Sequence, residues 1–294
     1  GDDCALLALH AAEQLAISTD TLVAGVHFAD PCDPFLLGQR SLAVAVSDLA
    51  AMGANPLAFT LALTTPTVDA DWLQRYAQGL NLMAQSCGVG LVGGDTTRGP
   101  LSLTLTVFGR VPAGRALTRS GAQPGDLLCV GGELGNAAGA LPLVLGERSA
   151  DAAIADPLLA HYWSPQPQLG LGLALRGKAT SAMDISDGLL ADCGHIATAS
   201  AVSLLIERQR LPLSQALLAF VGDDAARIAA LSGGDDYVLV FTLPPVELAP
   251  LLADGWPVHV IGRVEAGQGV TLLDANGQDI TPAIRGYQHF RGMP

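Results

Sequence analysis

Apolar residues fall at every second position twice in the first third of the chain. Leu57, Phe59, Leu61 and Leu63 do so within 56–65, and Leu101, Leu103, Leu105 and Val107 are set against Ser102, Thr104 and Thr106. Both runs predict strands with one buried face. Between and before them the period changes to that of a helix. Residues 33–52 read as a helix with Asp33 as N-cap, Pro34 at the first helical position and Gly53 closing it. Residues 69–87 read as a second, through Leu73, Tyr76, Leu80, Met83 and Cys87 up to Gly88. A strand over 15–23 carries Ser18, Thr19 and Asp20 between apolar ends, and a short strand over 89–92 leads into a glycine-rich loop, 93–99. The first part of the chain is therefore mixed α and β with antiparallel character.

Residues 112–125 are rich in Gly, Pro, Ala and Arg without apolar period and mark a domain boundary. Beyond them the pattern predicts a strand at 127–130, a glycine-rich turn at 131–139 opening a helix, and a Pro-rich stretch around Pro165 and Pro167. A helix near 169–175, a strand at 180–185, a helix at 189–199 and a strand at 203–207 come next. Two short helices and strands at 237–242, 258–264 and 270–273 complete the chain. With 294 residues, two cores are expected.

The charge pattern narrows the chemistry. A net charge of −13 without a basic stripe speaks against nucleic acid, whose phosphates are bound by Lys and Arg. No uncharged apolar run approaches the ~20 residues of a membrane span, and no secretory signal pattern opens the chain, so a cytoplasmic location is expected. Gly1 opens inside a motif, so a preceding segment is expected as well. Five scattered cysteines, none in a CxxC pair, argue against a disulfide framework or a structural zinc site. Of the 28 acids 22 are Asp, a short residue suited to turns and a hard oxygen ligand for Mg²⁺. Lys178 is the only lysine.

Phosphate-binding motifs of the common kinds do not fit. Gly88, Gly90 and Gly93 match GxGxxG, but in the order helix then strand, the reverse of a dinucleotide fingerprint. Residues 172–178 approach a Walker A pattern, yet Ala179 stands where a hydroxyl should hold Mg²⁺. The turn at 131–136 sits correctly between strand and helix and reads equally as an anion site or as a capped turn.

Aspartates, in contrast, recur where stability alone would not place them. Asp2 and Asp3 precede an apolar run; Ser18, Thr19 and Asp20 put three oxygen-bearing side chains in a row; Asp48 interrupts an apolar helix. A buried unpaired carboxylate costs several kcal/mol, about the scale of a whole ion pair, so Asp48 is expected to be paired or metal-bound. Residues 93–99 combine close-approach glycines with Asp95, two hydroxyls and Arg98. Asp184 and Asp187 flank a strand-to-helix turn, where Asp187 reads equally as cap or ligand. Arg119 on the linker is a candidate phosphate clamp. Together these describe an anionic pocket that accepts phosphates only with divalent cations, and no Ser-His or Cys-His nucleophile pair accompanies it, which points to direct in-line phosphoryl transfer.

The segments Gly-Asp-Asp-Cys-Ala-Leu-Leu (1–7), Ile-Ser-Thr-Asp-Thr-Leu-Val-Ala-Gly (17–25), Ser-Asp-Leu-Ala-Ala-Met-Gly-Ala (47–54), Gly-Gly-Asp-Thr-Thr-Arg-Gly (93–99), Asp-Ile-Ser-Asp-Gly-Leu (184–189) and Gly-Tyr-Gln-His-Phe (286–290) occur in this order. The set resembles the thiamine-monophosphate kinase family, of the superfamily of aminoimidazole ribonucleotide (AIR) synthetase. The resemblance implies an α+β chain of two domains. An AIR-synthetase-like N-terminal domain, 1–112, would have a mixed sheet with helices and dimerise into a barrel; an α/β C-terminal domain would span 113–294. It implies transfer from ATP to thiamine monophosphate, with several Mg²⁺ ions and K⁺ as a candidate monovalent ion, in a homodimer. Asp3, Ser18, Thr19, Asp20, Asp48, Asp95, Asp184 and Asp187 would bind metal; Gly94, Asp95, Arg119 and Ser186 would hold ATP; His27, Asp235 and Tyr287 would contact the acceptor. The chain departs from the family pattern at 233–238, where Asp235 stands for a glutamate and Val238 for a second. Another ATP-dependent enzyme of the superfamily, or a non-catalytic nucleotide or metal sensor on the same fold, is the alternative reading.

Overall fold

Two sheets organise the protein, whose computed structural model describes residues 9–283 and Gly286. The first contains β1 (Glu13–Val23), β2 (Asn55–Thr65), β3 (Gly90–Arg98) and β4 (Ser102–Pro112), in the order β1-β4-β2-β3. Its pairs are antiparallel except β2 with β3. Helices α1 (Pro34–Ala51) and α2 (Ala70–Cys87) cover one face. The alternation read along β4 is realised: Leu103, Leu105 and Val107 are buried under α1 while the intervening Ser and Thr face the open side. The expected caps Asp33 and Gly88 are present: Asp33 accepts from Phe35 N at 2.8 Å, and Gly88 ends α2 at φ +67°. Met52 caps the end of α1, with Gly53 following it at φ +59°, and Asp69, not read as a cap, accepts from Asp71 N at 3.0 Å.

α1 is buried almost throughout, from Leu37 to Ser47 and again from Leu49 to Ala51. It crosses α2 with backbones in contact. A Cβ on Gly79 would lie 1.8 Å from the Phe35 carbonyl oxygen, and one on Gly38 would lie 2.3 Å from that of Tyr76, so only glycine fits at either position.

The second half continues with β5 (Leu127–Val130), α3 (Asn136–Val144), α4 (Ala152–Trp163), α5 (Leu169–Leu175), β6 (Ser181–Asp184), α6 (Leu189–Ser200) and β7 (Ser203–Glu207). After these come α7 (Gln215–Val221), α8 (Asp223–Ser232), β8 (Leu239–Leu243), α9 (Leu248–Ala253), β9 (His259–Glu265) and β10 (Gly269–Leu273). The sheet order is β10-β7-β9-β5-β8-β6, and only β10 with β7 is parallel among these pairs. This half is thus α+β in character, not the α/β domain that the family resemblance implied. Leu158, Tyr162 and Trp163 of α4 and Leu217 and Phe220 of α7 join the apolar cluster around α1. At the far end of α1 a Cβ on Gly172 of α5 would lie 2.1 Å from the Ala50 carbonyl oxygen. α1 is therefore clasped at both ends.

Three elements differ from the sequence reading, one of them α9, which lies where no helix was expected. Residues 93–98 continue β3 and do not form a loop: the strand lies exposed on the sheet edge, so no apolar period marks it. α4 was hidden by its composition, Ala-rich with Pro157 inside the helix. No helix of the described residues is long and apolar enough to cross a membrane.

Candidate active site

Strand alternation decides which residues of the 18–20 triplet face the helices. Ser18 and Asp20 turn toward α1, and the Ser18 hydroxyl donates to Asp48 Oδ2. Asp184, at the end of β6 and 6% exposed, accepts from the Ser47 hydroxyl at 2.6 Å. Asp20, Asp48 and Asp184 thereby converge from three elements of both halves. Burial first, then the charges of Asp48 and Asp184, push the Asp20 carboxyl up to about 7; burial and Asp48 push Asp184 up to about 6. Asp48 is also raised by burial, against the pull of Ser18 and of Arg119. Like charges gathered at this cost are the donor chemistry of a hard divalent cation. Among the described residues no three acidic, histidine or cysteine side chains close into a ligand set by themselves; Asp3, expected as a further ligand, lies outside them. The cluster borders a cavity of about 640 Å³ with Ser18, Asp48, Arg119 and Asp184 along one part and Leu15, Ile17, Met52 and Met183 along another.

Thr19 and Asp95 do not join this cluster. The Thr19 hydroxyl is on the open face, 2.9 Å from that of Thr106. Asp95 pairs with Ala62, level with Thr104 and Thr21, so it shares that face. It lies three interstrand spacings from β1, about 14 Å along the sheet. Gly94 has a structural reason to be glycine, since its Cβ would sit 2.0 Å from the Leu61 carbonyl oxygen.

The turn after β6 and the loop before β8 are built against each other. Asp235 N donates to the Ser186 carbonyl at 2.9 Å, and Tyr237 N to that of Ile185 at 2.8 Å. A Cβ on Gly234 would meet the Ser186 oxygen at 2.4 Å, and one on Gly188 would meet the Ser232 carbonyl carbon at 2.9 Å. Asp187 is not the cap of α6; it is half-buried in the turn. The turn is held instead by Asp192, whose Oδ2 accepts the N–H groups of Ser186, Asp187 and Gly188, each at 3.1 Å.

On the other side Asp236 accepts from Gly135 N at 2.8–2.9 Å and so caps α3, which has no side-chain cap of its own. Burial pushes the Asp236 carboxyl up to about 8, partly offset by its bond to Gly135. A buried acid with a raised pKa binds more protons folded than unfolded between about pH 4 and 8, so it subtracts stability as pH rises through that window. Asp236→Asn is therefore expected to flatten the fall of Tm between pH 5 and 8, checked by thermal melts of variant and wild type across that range.

Asp235 and His27, both expected at the acceptor, come together through a residue that the sequence reading passed over. Arg40 of α1, 1% exposed, bonds Asp235 Oδ1 at 2.9 Å, the Tyr162 carbonyl at 2.6 Å and the His27 carbonyl at 3.5 Å. His27 Nδ1 accepts from Val23 N at 3.0 Å. The Tyr237 hydroxyl donates to Asp235 Oδ1 at 3.0 Å. Asp235 and Tyr237 have φ of +70° and +50°, and such backbone costs about 1–3 kcal/mol per residue and concentrates at functional sites. Asp48 was singled out as a charge inside an apolar helix, and Arg40 is equally such a charge; Asp192 and Asp236 carried no such signal. Tyr287 lies outside the described residues.

The family model for AIR synthase related protein, N-terminal domain, matches residues 1–111. Thiamine-monophosphate kinase of Escherichia coli (strain K12) is 46% identical over 295 residues, covering 99% of this chain and 91% of that protein. The crystal structure of thiamine-monophosphate kinase from Stenotrophomonas maltophilia K279a matches with TM-score 0.88 and 44% identity, over 95% of this chain and 90% of that one. AaThiL complexed with AMPPCP and TMP matches with TM-score 0.87 and 30% identity, over 96% and 89%. With carboxylates in place at 20, 48 and 184 and with identity to these kinases along nearly its whole length, the chain belongs to the thiamine-monophosphate kinase family.

Proposed function

We propose that the chain transfers the terminal phosphoryl group of ATP to thiamine monophosphate, giving ADP and thiamine diphosphate. The carrying observation is the convergence of Asp20, Asp48 and Asp184, the latter two lining a cavity with Arg119, in a chain 46% identical to a thiamine-monophosphate kinase. Kinship to AaThiL, complexed with AMPPCP and TMP, supports the substrate pair.

Ser18, Asp20, Asp48 and Asp184 are assigned to metal, with Asp3 from the N-terminal motif and Asp187 at the turn. Mg²⁺, when bound, supplies the positive charge that lets phosphates approach this anionic wall and offsets the charge of transfer. Ser18 and Ser47 fix the orientation of Asp48 and Asp184. Arg119 is assigned to the nucleotide phosphates together with Gly94 and Ser186, and the apolar part of the cavity suits the nucleoside. His27, Asp235 and Tyr287 are assigned to the acceptor. No covalent nucleophile is needed, since positioning and charge supply such catalysis.

We place the domain division at 112/113 and the active form as a homodimer. β1 and β3 are both open edges, with Ile17 and Leu91 more than half exposed. A second copy closing these edges would bring Asp95 and Thr19 of different chains together, which accounts for their separation within one. The described cysteines are free thiols, which supports a cytoplasmic location.

The test is product analysis with ATP, Mg²⁺ and thiamine monophosphate, with and without K⁺. Thiamine diphosphate and ADP in equal amounts are expected, with none from free thiamine or an aminoimidazole precursor. ATP binding without product from any acceptor would overturn the assignment.

A further inference from the structure

A buried arginine is a poor device for stability, because its desolvation is repaid only by complete pairing, and Arg40 is not completely paired. Among the described residues its Nε is buried without a partner. Its other two nitrogens are committed to the Tyr162 carbonyl and to Asp235 and His27, and its guanidinium carbon lies 4.1 Å from the centre of the Tyr162 ring. The group cannot rotate without losing one of these contacts.

What it holds is asymmetric. Arg40 and the Tyr237 hydroxyl both bond Asp235 Oδ1, at 2.9 and 3.0 Å. Among the described residues Oδ2 has no such bond, on a side chain that is one-third exposed. The carboxylate therefore has one oxygen tied inward and the other offered outward. We propose that Arg40, with Tyr237, is a positioning residue for the acceptor, fixing Asp235 so that Oδ2 presents a set hydrogen-bond acceptor to an N–H group of the substrate. Asp235 is a methylene shorter than the glutamate of the family pattern, and a short carboxylate needs its direction fixed more tightly than a long one that can adjust.

The same helix carries Asp48 eight residues further on, about 12 Å along its axis. Arg40 thus refers the acceptor loop to the element that also presents the carboxylate cluster.

The inference rests on the assignment of Asp235 to the acceptor, and the experiment separates the two. Steady-state kinetics are measured for Arg40→Met, Tyr237→Phe, Asp235→Asn and the two doubles with Asp235→Asn, each with its Tm. Arg40→Met is expected to raise KM for thiamine monophosphate about 10-fold or more, and Tyr237→Phe several-fold, with KM for ATP within twofold of wild type. Combined with Asp235→Asn, neither substitution should add to the effect of Asp235→Asn alone. If Asp235→Asn leaves the acceptor KM unchanged, the assignment of Asp235 fails and the inference with it. If Asp235→Asn raises it but Arg40→Met and Tyr237→Phe do not, or if their effects multiply with that of Asp235→Asn, the inference alone fails. An equal rise of both KM values with a lowered Tm would make Arg40 a structural residue and overturn it too. Should Arg40→Met not fold, the Tyr237→Phe cycle decides by the same criteria.

Discussion

Asp48→Asn is expected to lower kcat by about 10³-fold, the scale of losing one preorganised charge-stabilising group, while leaving the protein folded. The substitution keeps the volume, and the Ser18 hydroxyl can still donate to the amide oxygen. What it removes is the charge between Asp20 and Asp184. In wild type that charge helps to hold Asp20 up to about 7 and Asp184 up to about 6, after burial itself. Raised carboxyl pKa values mean stability lost as pH rises through them, so relieving the repulsion restores some of it. Without divalent ions at pH 8 the variant should melt at or above the wild-type temperature, and Mg²⁺ should raise its Tm less. Calorimetry with chelator and with Mg²⁺, beside turnover, checks both halves. Full activity would remove Asp48 from the metal site.

Gly234→Ala is the second large effect. The new methyl would meet the Ser186 carbonyl oxygen at 2.4 Å, and that oxygen already accepts from Asp235 N at 2.9 Å. Either the turn with Asp184, Ser186 and Asp187 or the loop with Asp235 must give way. A shift of about 1 Å in a positioned site costs about 10²-fold in rate, and overpacking adds about 1–3 kcal/mol of instability. The expected outcome is kcat/KM lowered about 10²-fold for both substrates with a Tm drop of several degrees. Gly194→Ala, in α6 with nothing within 4 Å, is the control and should be neutral or slightly stabilising. A Gly234→Ala enzyme as active as this control would mean that the two loops do not depend on their contact.

What the sequence made legible was local or followed from burial. Asp33, Pro34 and Gly88 bounded helices because capping is decided by neighbouring residues. Asp48 stood out because a charge in an apolar helix needs a reason, Asp20 because it stands in a run of oxygen-bearing side chains, and Asp184 because it sits where a strand ends. Faces were harder to see. Thr19 was grouped with Ser18 and Asp20 because the three are adjacent, yet a strand sends adjacent side chains to opposite sides. Asp95 was read as part of a loop because an exposed edge strand carries no period. Asp192 and Asp236 were lost among 22 aspartates, and only the folded backbone tells which carboxylate gathers three N–H groups and which caps a distant helix. Arg40 could have been found by the same reasoning as Asp48.

The two glycine contacts that clasp α1 divide the site between them. Arg40 sits two residues from Gly38 at the crossing with α2, and Asp48 sits two residues from Ala50, whose carbonyl oxygen meets Gly172. A shift of about 1 Å in a positioned group costs about 10²-fold in rate. A bulkier residue at 172 therefore falls first on the carboxylate cluster and on turnover, and one at 38 first on Arg40 and on the acceptor.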